Sequence, residues 1–507
     1  MTEPGMTRRD LLSLIASAAV LPAVAASRTR ERSDVPIPRP EGQLHYSSIA
    51  SVARLIAAGD ISSATLTAQM LDRIAAVDGR LKSYVTVMSD RASASAERAD
   101  VEIRAGRYRG PLHGVPIAVK DLCNTRGVRT MAGTKVMADF VPDFDATVVA
   151  RLEAAGAVVL GKLALCEGAF GPYCPGLQVP VNPWDATRWS GVSSSGSGVA
   201  TAAGLCFGSV GTDTGGSIRY PSAANGCVGL KPTYGRVSRY GVFALAASMD
   251  HIGPMTRSVE DAVIMFEAMA GNDVNDPSSL QDQVPLVRAK LGRGIAGLRV
   301  GFDRRFATAN VDPDIAESID GVLAELTRLG ATVVDVAMPD VSAIADAWFE
   351  LCAAEAYVAN ASTFPSRAAE YGPGFRSVLD YGQRVTRASL TAASNVRSAF
   401  SALLERMLVA VDCFVCPSMS NAARVKEADP FAAETDGSWS RLVRSDVHTK
   451  PFNFSGSPTL SVPCGFSADG LPLSVQFVGR RLSEPVLCRI GYAYEQATPW
   501  HSRHPKV

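Results

Sequence analysis

The sequence has no excess of charge of either sign. Its 50 Lys and Arg residues balance 50 Asp and Glu residues, and no block of five or six like charges interrupts the chain. Binding to a phosphate backbone needs a basic surface, because most of its free energy is electrostatic. The composition therefore argues against a nucleic-acid-binding protein.

Cysteine and histidine are too few and too scattered for a disulfide framework or a metal centre. The 10 cysteines show no tight spacing, and the 6 histidines lack the intervals typical of metal ligands. One Cys-x-x-Cys pair, Cys413 and Cys416, lies in an apolar stretch and favours a buried strand over a redox or zinc site. No metal and no cofactor is predicted.

Long apolar runs are also scarce. The most conspicuous, Leu11 to Ala26, is shorter than the roughly 20 residues that span a bilayer, follows the pair Arg8-Arg9 and ends in small residues. This pattern is typical of a bacterial twin-arginine export signal, with an uncleaved membrane anchor as the alternative. It predicts a signal peptide over 1–26, a flexible leader over 27–45 and a periplasmic or extracellular mature protein that has no membrane span.

The rest of the chain has the 47% hydrophobic content of a globular protein with a large core. Its length by itself suggests two to four domains. Folded sequence is expected from Tyr46, beginning with a helical hairpin over Ile49–Ala58 and Thr65–Ala76. Later patterns predict a strand over Val115–Val119, helix-then-strand units over 146–160 and 315–336, a strand over 298–302, helices between 344 and 408, and late strands at 414–415 and 460–462. This alternation predicts an α/β protein with a largely buried sheet.

The most informative segment is rich in glycine and serine and extends from Gly191 to Arg219. A flexible linker would continue polar, whereas this segment enters an apolar stretch at Val199 and returns through another that ends at Val210. Glycines beside serines inside packed structure indicate backbone amides brought close to a ligand or to another chain segment. The segment is therefore a candidate active-site loop.

Familiar motifs do not explain this segment. Gly196-Ser197-Gly198 lacks the third glycine of a dinucleotide loop, because position 201 is Thr. The stretch from Gly156 to Lys162 has phosphate-loop spacing, but Leu163 replaces the required Ser or Thr. No Gly-x-Ser-x-Gly or Ser-x-x-Lys pattern is present either. A serine hydrolase without a histidine base remains, and Lys120, at the end of an apolar strand, is the natural substitute because burial would lower its pKa.

Taken together, these residues resemble the amidase signature family, whose members hydrolyse carboxylic amides with a Ser-Ser-Lys triad. The resemblance extends from about Tyr46 to the end of the chain and is weakest between Asp273 and Asp446. The segments that carry it are Pro111–Asp121, Asn182–Pro232, Lys231–Ser238 and Asn453–His501. By position, it implies that the triad is Lys120, Ser193 and Ser217. Three local departures lie near the loop: Val192, Ser195 and Trp189-Ser190.

The resemblance also implies a fold and a mechanism. The fold is a central mixed, twisted β-sheet covered by α-helices on both sides, formed by a catalytic domain over 46–507. Ser217 would form an acyl-enzyme, and Ser193, in a cis peptide, would relay protons to neutral Lys120. The oxyanion would bind the backbone amides of Thr214, Gly215, Gly216 and Ser217. Ser194, Asp213 and Arg219 would brace the two loops.

The sequence predicts an amidase that acts on a small-molecule amide, with aryl or hydrophobic amides favoured and with ester or carbamate hydrolysis as possible side activities. Aromatic residues of the variable middle region could line the acyl pocket or belong to the core: Trp348, Phe349, Tyr357, Phe364, Tyr371, Phe375 and Tyr381. Two alternatives are a non-catalytic amide-binding protein and a glutamine-hydrolysing amidotransferase subunit. Export argues against the second, as does the stretch Arg376–Leu379, where those subunits carry a further basic residue. A homodimer is left open.

Overall fold

A mixed β-sheet of eleven strands extends through the computed structural model, which describes residues 44–425 and 447–507. In chain order, the strands are β1 (Tyr84–Val87), β2 (Pro116–Lys120), β3 (Val158–Leu163), β4 (Gly208–Asp213), β5 (Val228–Lys231), β6 (His251–Thr256), β7 (Arg299–Phe302), β8 (Thr332–Asp335), β9 (Cys413–Pro417), β10 (Thr459–Phe466) and β11 (Pro472–Val478). Their order across the sheet is β1-β3-β2-β4-β6-β5-β10-β11-β9-β7-β8. The pairs β2–β3, β2–β4, β7–β8 and β7–β9 are parallel, and the remaining pairs are antiparallel.

Helices cover the sheet on both sides, as the resemblance implied. The α-helices of the described residues are α1 (Ile49–Ala58), α2 (Ser63–Leu81), α3 (Ser89–Arg104), α4 (Thr147–Ala154), α5 (Ser195–Ala202), α6 (Arg219–Asn225), α7 (Val259–Met269), α8 (Arg304–Thr308), α9 (Pro313–Arg328), α10 (Ile344–Ala359), α11 (Pro373–Arg384), α12 (Arg387–Val409), α13 (Lys450–Phe454) and α14 (Glu484–Ala497). Short 3-10 helices occupy Leu44–Tyr46, Lys135–Met137, Glu167–Ala169, Arg288–Arg293, Ala368–Glu370 and Trp500–Ser502.

The two helices of the predicted hairpin are confirmed, although the second packs mainly on α3 and not on the first, and local capping explains where they meet. α1 ends at Gly59, whose φ of 80° is the left-handed conformation that glycine adopts without strain. The Ser62 side chain accepts a hydrogen bond from the Thr65 amide and caps the start of α2. The two helices therefore begin and end where the turn chemistry of the sequence places them.

The predicted alternation of helices and strands is also confirmed, with boundaries that lie within four residues of those predicted. The apolar run before Lys120 forms β2, and the Cys-x-x-Cys stretch forms β9, in which both cysteines are buried. All 10 cysteines are buried. The described residues belong to one compact unit, in contrast to the two to four domains suggested by length.

Strand pairing places two chemically important strand ends at the same edge of the sheet. β2 and β4 are adjacent and parallel, with Val119 paired with Val210. β2 ends at Lys120 and β4 ends at Asp213. Because parallel strands point the same way, the loop that follows β4 begins beside the lysine that ends β2.

The predicted signal peptide, 1–26, and residues 27–43 of the predicted leader lie outside the described residues. Within the described ranges, no helix combines the length and the apolar character needed to cross a bilayer.

Candidate active site

Lys120 lies fully buried at the centre of a cluster of hydroxyl groups. Its Nζ atom is 2.7 Å from Ser193 Oγ, 2.9 Å from Ser194 Oγ and 2.8 Å from Thr212 Oγ1. Burial lowers the pKa of Lys120 to about 8, because an ammonium group loses its hydration there. The structure therefore makes the neutral amine of this lysine more available than that of a solvated lysine.

The loop that carries Ser193 is closely packed at its glycines. A Cβ atom on Gly191, which has a φ of 84°, would lie 2.3 Å from Pro221 Cα. A Cβ atom on Gly196 would lie 2.6 Å from the Ala164 backbone. The peptide bond between Val192 and Ser193 is cis. These glycines are therefore needed for close backbone approach, as the sequence indicated.

Two of the departures from the family pattern, Val192 and Ser195, fit into the packed structure around the loop. Val192 is buried in a small apolar cluster that includes Cys166 and Tyr220. Ser195 begins α5, and its Oγ accepts a hydrogen bond of 2.7 Å from the Tyr173 hydroxyl. Both side chains thus have packing or hydrogen-bond partners where glycine would have none.

Ser217 differs from the serines of the other loop in its exposure. Ser193, Ser194 and Ser195 are fully buried, whereas Ser217 is partly exposed to solvent. The Ser217 carbonyl accepts a hydrogen bond of 3.3 Å from the Ser194 amide. Within the described ranges the hydroxyls of Ser193 and Ser217 do not hydrogen-bond directly, so this backbone bond joins the two loops.

A buried ion pair braces the Ser217 loop. Asp213 receives two hydrogen bonds from the Arg219 guanidinium, Nε to Oδ2 at 3.0 Å and Nη2 to Oδ1 at 2.9 Å. The amides of Gly216 (2.8 Å) and Ile218 (3.1 Å) also donate to this carboxylate. Burial by itself raises the pKa of Asp213, but the charge and hydrogen bonds of Arg219 outweigh it, so the pKa lies below its ordinary value. The carboxylate thus stays ionised and holds together the turn from Gly216 to Arg219.

The four amides predicted to bind an oxyanion are not equivalent. The Gly216 amide already donates to Asp213, so it takes part in the brace. The amides of Thr214, Gly215 and Ser217 donate to no other described residue. These three remain available to an oxyanion, whereas the sequence pattern alone treated all four alike.

Sequence reasoning missed two residues that complete the site. Thr212 Oγ1 contacts the Lys120 amine, and Asn453 Nδ2 donates to Asp213 Oδ1 at 2.8 Å. Thr212 lies one residue before Asp213 and could have been suspected from that position. Asn453 is separated from Asp213 by 240 positions, and no local signal in the sequence connects the two.

The aromatic residues of the middle region divide into two groups. Trp348 contacts the Ser217 loop, since its Nε1–H donates to the Thr214 carbonyl at 2.8 Å, and Phe170 stacks on it at a centroid distance of 6.1 Å. Phe349 and Tyr381 continue this aromatic surface, with their rings 4.9 Å apart. The remaining four pack on one another instead: Tyr357, Phe364, Tyr371 and Phe375.

Comparison with known proteins identifies relatives along most of the chain. The Amidase family model matches residues 65–488. A Mycobacterium tuberculosis protein named AmiD, assigned as an amidase, is 45% identical over 475 residues, which cover 94% of this chain and 99% of that protein. A glutamyl-tRNA(Gln) amidotransferase subunit from Chloroflexus aurantiacus is 37% identical over 92% of this chain and 99% of its own length.

A solved structure shows the same fold. The peptide amidase of Stenotrophomonas maltophilia superposes with a TM-score of 0.78 at 32% identity, covering 93% of this chain and 99% of that one.

Proposed function

The chain belongs to the amidase signature family and is an amide hydrolase, and from that premise we propose that Ser217 is its nucleophile. Lys120 is the base, and Ser193 transfers the proton between them. The support is geometric. The buried amine of Lys120 lies 2.7 Å from the buried Ser193 hydroxyl, and the amide of the next residue, Ser194, donates to the Ser217 carbonyl.

In the first step, the Ser217 oxygen attacks the amide carbonyl carbon. The Ser217 proton passes to Ser193, and the proton of Ser193 passes to the neutral amine of Lys120. The carbonyl oxygen becomes an oxyanion that accepts hydrogen bonds from the amides of Thr214, Gly215 and Ser217.

In the second step, the carbon–nitrogen bond breaks. The leaving nitrogen takes the proton back from Lys120 through Ser193, because an amine anion is a poor leaving group. Water then attacks the acyl-enzyme, and its proton passes through Ser193 to Lys120. The tetrahedral intermediate that forms expels the Ser217 oxygen, which takes this proton back, and a carboxylic acid is released.

The difference in exposure among the serines carries this assignment. A nucleophile must reach substrate. Ser217 is partly exposed, whereas the three serines 193–195 are fully buried. Ser194 is better placed as a brace, because its Oγ donates to the Thr212 carbonyl at 3.1 Å and accepts from the Thr212 amide at 3.2 Å.

The substrate is proposed to be an aryl or other hydrophobic amide. The aromatic surface of Trp348, Phe170, Phe349 and Tyr381 begins at the backbone of Thr214, three residues before the nucleophile. Burying one aromatic ring of substrate contributes about 1.5–3 kcal/mol. Esters and carbamates with the same aryl group are expected side substrates, because their leaving oxygen needs less help from a proton.

A substrate panel tests this proposal. We expect kcat/KM for an aromatic acyl anilide to exceed that for a short aliphatic amide by about 10- to 100-fold, since the ring contributes binding free energy that the short chain lacks. The panel compares matched amide, ester and carbamate substrates and includes free glutamine. The Ser217→Ala variant, purified in parallel, gives the background of contaminating hydrolases.

Two results on this panel would contradict the proposal. Absence of turnover on every amide would favour the non-catalytic alternative. A clear preference for glutamine over the anilide would favour an amidotransferase subunit.

The amidotransferase alternative rests on the 37% identity to that subunit over most of the chain. Against it stands α11, whose two basic residues, Arg376 and Arg384, are exposed, whereas Phe375, Val378 and Leu379 face the interior. The buried face of this helix is therefore apolar, and neither arginine lies in the interior, where it could meet the carboxylate of a bound glutamine.

We further propose that the protein is exported by a twin-arginine route. Replacing Arg8 and Arg9 with Lys keeps the charge but removes the paired guanidinium groups, and we expect the protein to remain in the cytoplasm. Cell fractionation with N-terminal sequencing measures the outcome. A variant that still reached the extracytoplasmic space, trimmed near Ser27, would contradict the proposal.

A further inference from the structure

The loop before Ser217 contains two adjacent glycines, Gly215 and Gly216. Glycine adopts many backbone conformations at little cost, so a Gly-Gly peptide can rotate readily unless other groups hold it. Catalysis nevertheless needs the amides of this loop at fixed positions, because an oxyanion is stabilised by donors that are already oriented.

Three consecutive carbonyl groups of this loop accept hydrogen bonds. The Thr214 carbonyl accepts from Trp348 Nε1–H at 2.8 Å, and the Gly215 carbonyl accepts from Thr449 Oγ1–H at 2.6 Å. The Gly216 carbonyl accepts from the Tyr220 amide at 2.7 Å. The third bond is local, since it begins helix α6, whereas the first two come from distant segments.

The direction of the Thr449 hydrogen bond follows from proton counting. A hydroxyl has one proton, and a carbonyl can only accept, so Thr449 donates to Gly215. Tyr220, whose hydroxyl oxygen is 2.5 Å from Thr449 Oγ1, must then donate to Thr449. Arg219 Nη1 also donates to the Thr449 carbonyl at 2.9 Å, which ties the backbone of Thr449 to the brace.

The same side chains limit the space around both glycines. A Cβ atom on Gly215 would lie 2.6 Å from Trp348 Cζ2, and one on Gly216 would lie 2.4 Å from Tyr220 Cε2. The indole ring and the phenol ring therefore lie directly against the loop, in contact with the glycine backbone.

We propose that Trp348 and Thr449 are positioning residues of this loop. Trp348 orients the Gly215 amide, which stays available to the oxyanion, and Thr449 orients the Gly216 amide, which donates to the Asp213 brace. In a planar trans peptide, the carbonyl and the N–H group point in opposite directions. Holding the Thr214 carbonyl therefore directs the Gly215 amide away from Trp348 and leaves it available to substrate. Holding the Gly215 carbonyl directs the Gly216 amide into Asp213, where it bonds at 2.8 Å. This inference rests on the proposed role of Ser217.

The two residues belong to different parts of the chain. Trp348 lies on α10, in the middle region where the family resemblance is weakest, and Thr449 immediately precedes α13. A ring contact also connects them, because Lys450 Nζ lies 5.4 Å from the Trp348 ring centroid. The geometry of the oxyanion amides thus depends on segments outside the Gly/Ser loop itself.

Conservative substitutions of the full-length protein test this inference. Trp348→Phe removes the indole N–H and keeps an aromatic ring, and Thr449→Val removes the hydroxyl and keeps the shape. Thr449→Ser restores the hydroxyl. Trp184→Phe is the matched control, because Trp184 Nε1–H donates to the Asn225 carbonyl at 2.9 Å, a bond of the same kind away from the oxyanion amides.

We expect Trp348→Phe and Thr449→Val each to lower kcat for the anilide by about 10- to 100-fold, less than the loss of a whole oxyanion donor. An aryl boronic acid, which becomes tetrahedral and anionic on a serine oxygen, should bind more weakly by the same factor. The aryl carboxylate product should bind within about threefold of wild type, because it resembles the ground state. Thr449→Ser and Trp184→Phe should keep wild-type kcat.

Several outcomes would overturn the inference. Equal kcat in Thr449→Val and Thr449→Ser, or in Trp348→Phe and Trp184→Phe, would show that the two hydrogen bonds do not position the loop. If the variants bound the boronic acid and the product with equally reduced affinity, these residues would contribute to ground-state binding and not to the orientation of the oxyanion amides. Should Thr449→Val be too unstable to purify, Trp348→Phe decides the test alone. Failure of the proposed role of Ser217 differs, since Ser217→Ala would then keep turnover.

Discussion

Replacing Ser217 with alanine is expected to lower kcat/KM for an anilide by about 10⁴- to 10⁶-fold, because no acyl-enzyme can form without the hydroxyl oxygen. The fold should survive, since Ser217 is partly exposed and its side chain makes no hydrogen bond to another described residue. Steady-state kinetics measures the loss, and thermal unfolding checks the fold. Ser195→Ala, which loses one hydrogen bond from Tyr173, is the matched control and should retain most turnover.

Covalent labelling identifies the nucleophile independently of turnover. The Ser217 oxygen should displace fluoride from a fluorophosphonate, and the added mass should appear on the peptide that contains Ser217. Ser217→Ala should remain unlabelled. Labelling confined to Ser193 would contradict the assignment and would make the buried serine the reacting group.

Replacing Lys120 is expected to have the second-largest effect. Lys120→Ala should lower kcat/KM by about 10²- to 10⁴-fold, the usual range for the loss of a general base. Lys120→Arg should lose a similar factor, because guanidinium remains protonated and cannot accept a proton. If Lys120→Arg kept near-wild-type turnover, Lys120 would serve as a positive charge in the structure and not as the base.

The pH profile gives a further measure of the same residue. Burial lowers the pKa of Lys120 to about 8, so only about a tenth of the enzyme carries the neutral amine at pH 7. The base must be neutral, so kcat/KM should rise with pH and level off above about pH 9. A profile that fell with rising pH through this window would exclude Lys120 as the base.

Lys162 offers a matched control for this profile. It is the fully buried lysine of β3, and it donates to the Cys123 carbonyl at 2.7 Å and to Thr130 Oγ1 at 2.6 Å. It also pairs with Asp121 at 3.4 Å, which distinguishes it from Lys120. Lys162→Arg keeps that charge pair, so the dependence of kcat/KM on pH should match wild type even if stability falls.

Local features of the fold were predictable because they depend on neighbours in sequence. The first two helices follow from apolar spacing together with Gly59 and Ser62, each of which acts on a helix end within a few residues. The strand that ends at Lys120 follows from an unbroken apolar run. Strand β11 was not predicted. The order of the sheet was not predicted either, because strand pairing joins segments that share no local pattern.

The candidate site was predictable to a different extent. The family resemblance led to Lys120, Ser193 and Ser217 because serine, lysine and glycine occur there at characteristic intervals. It did not lead to Thr212 or Asn453, nor to the different bonding of the Gly216 amide, since each depends on which groups meet after folding.

The sequence by itself determined the chemical groups available to this protein: a lysine after an apolar run, two sets of hydroxyls and glycines that permit close backbone approach. Tertiary structure alone decided their environment. It desolvated Lys120, left Ser217 accessible while burying Ser193, and brought Thr449 to the Gly215 carbonyl across 234 positions of sequence. The physical reason is that helix and strand periodicity depend on adjacent residues, whereas burial and hydrogen-bond partners depend on distant segments packed together.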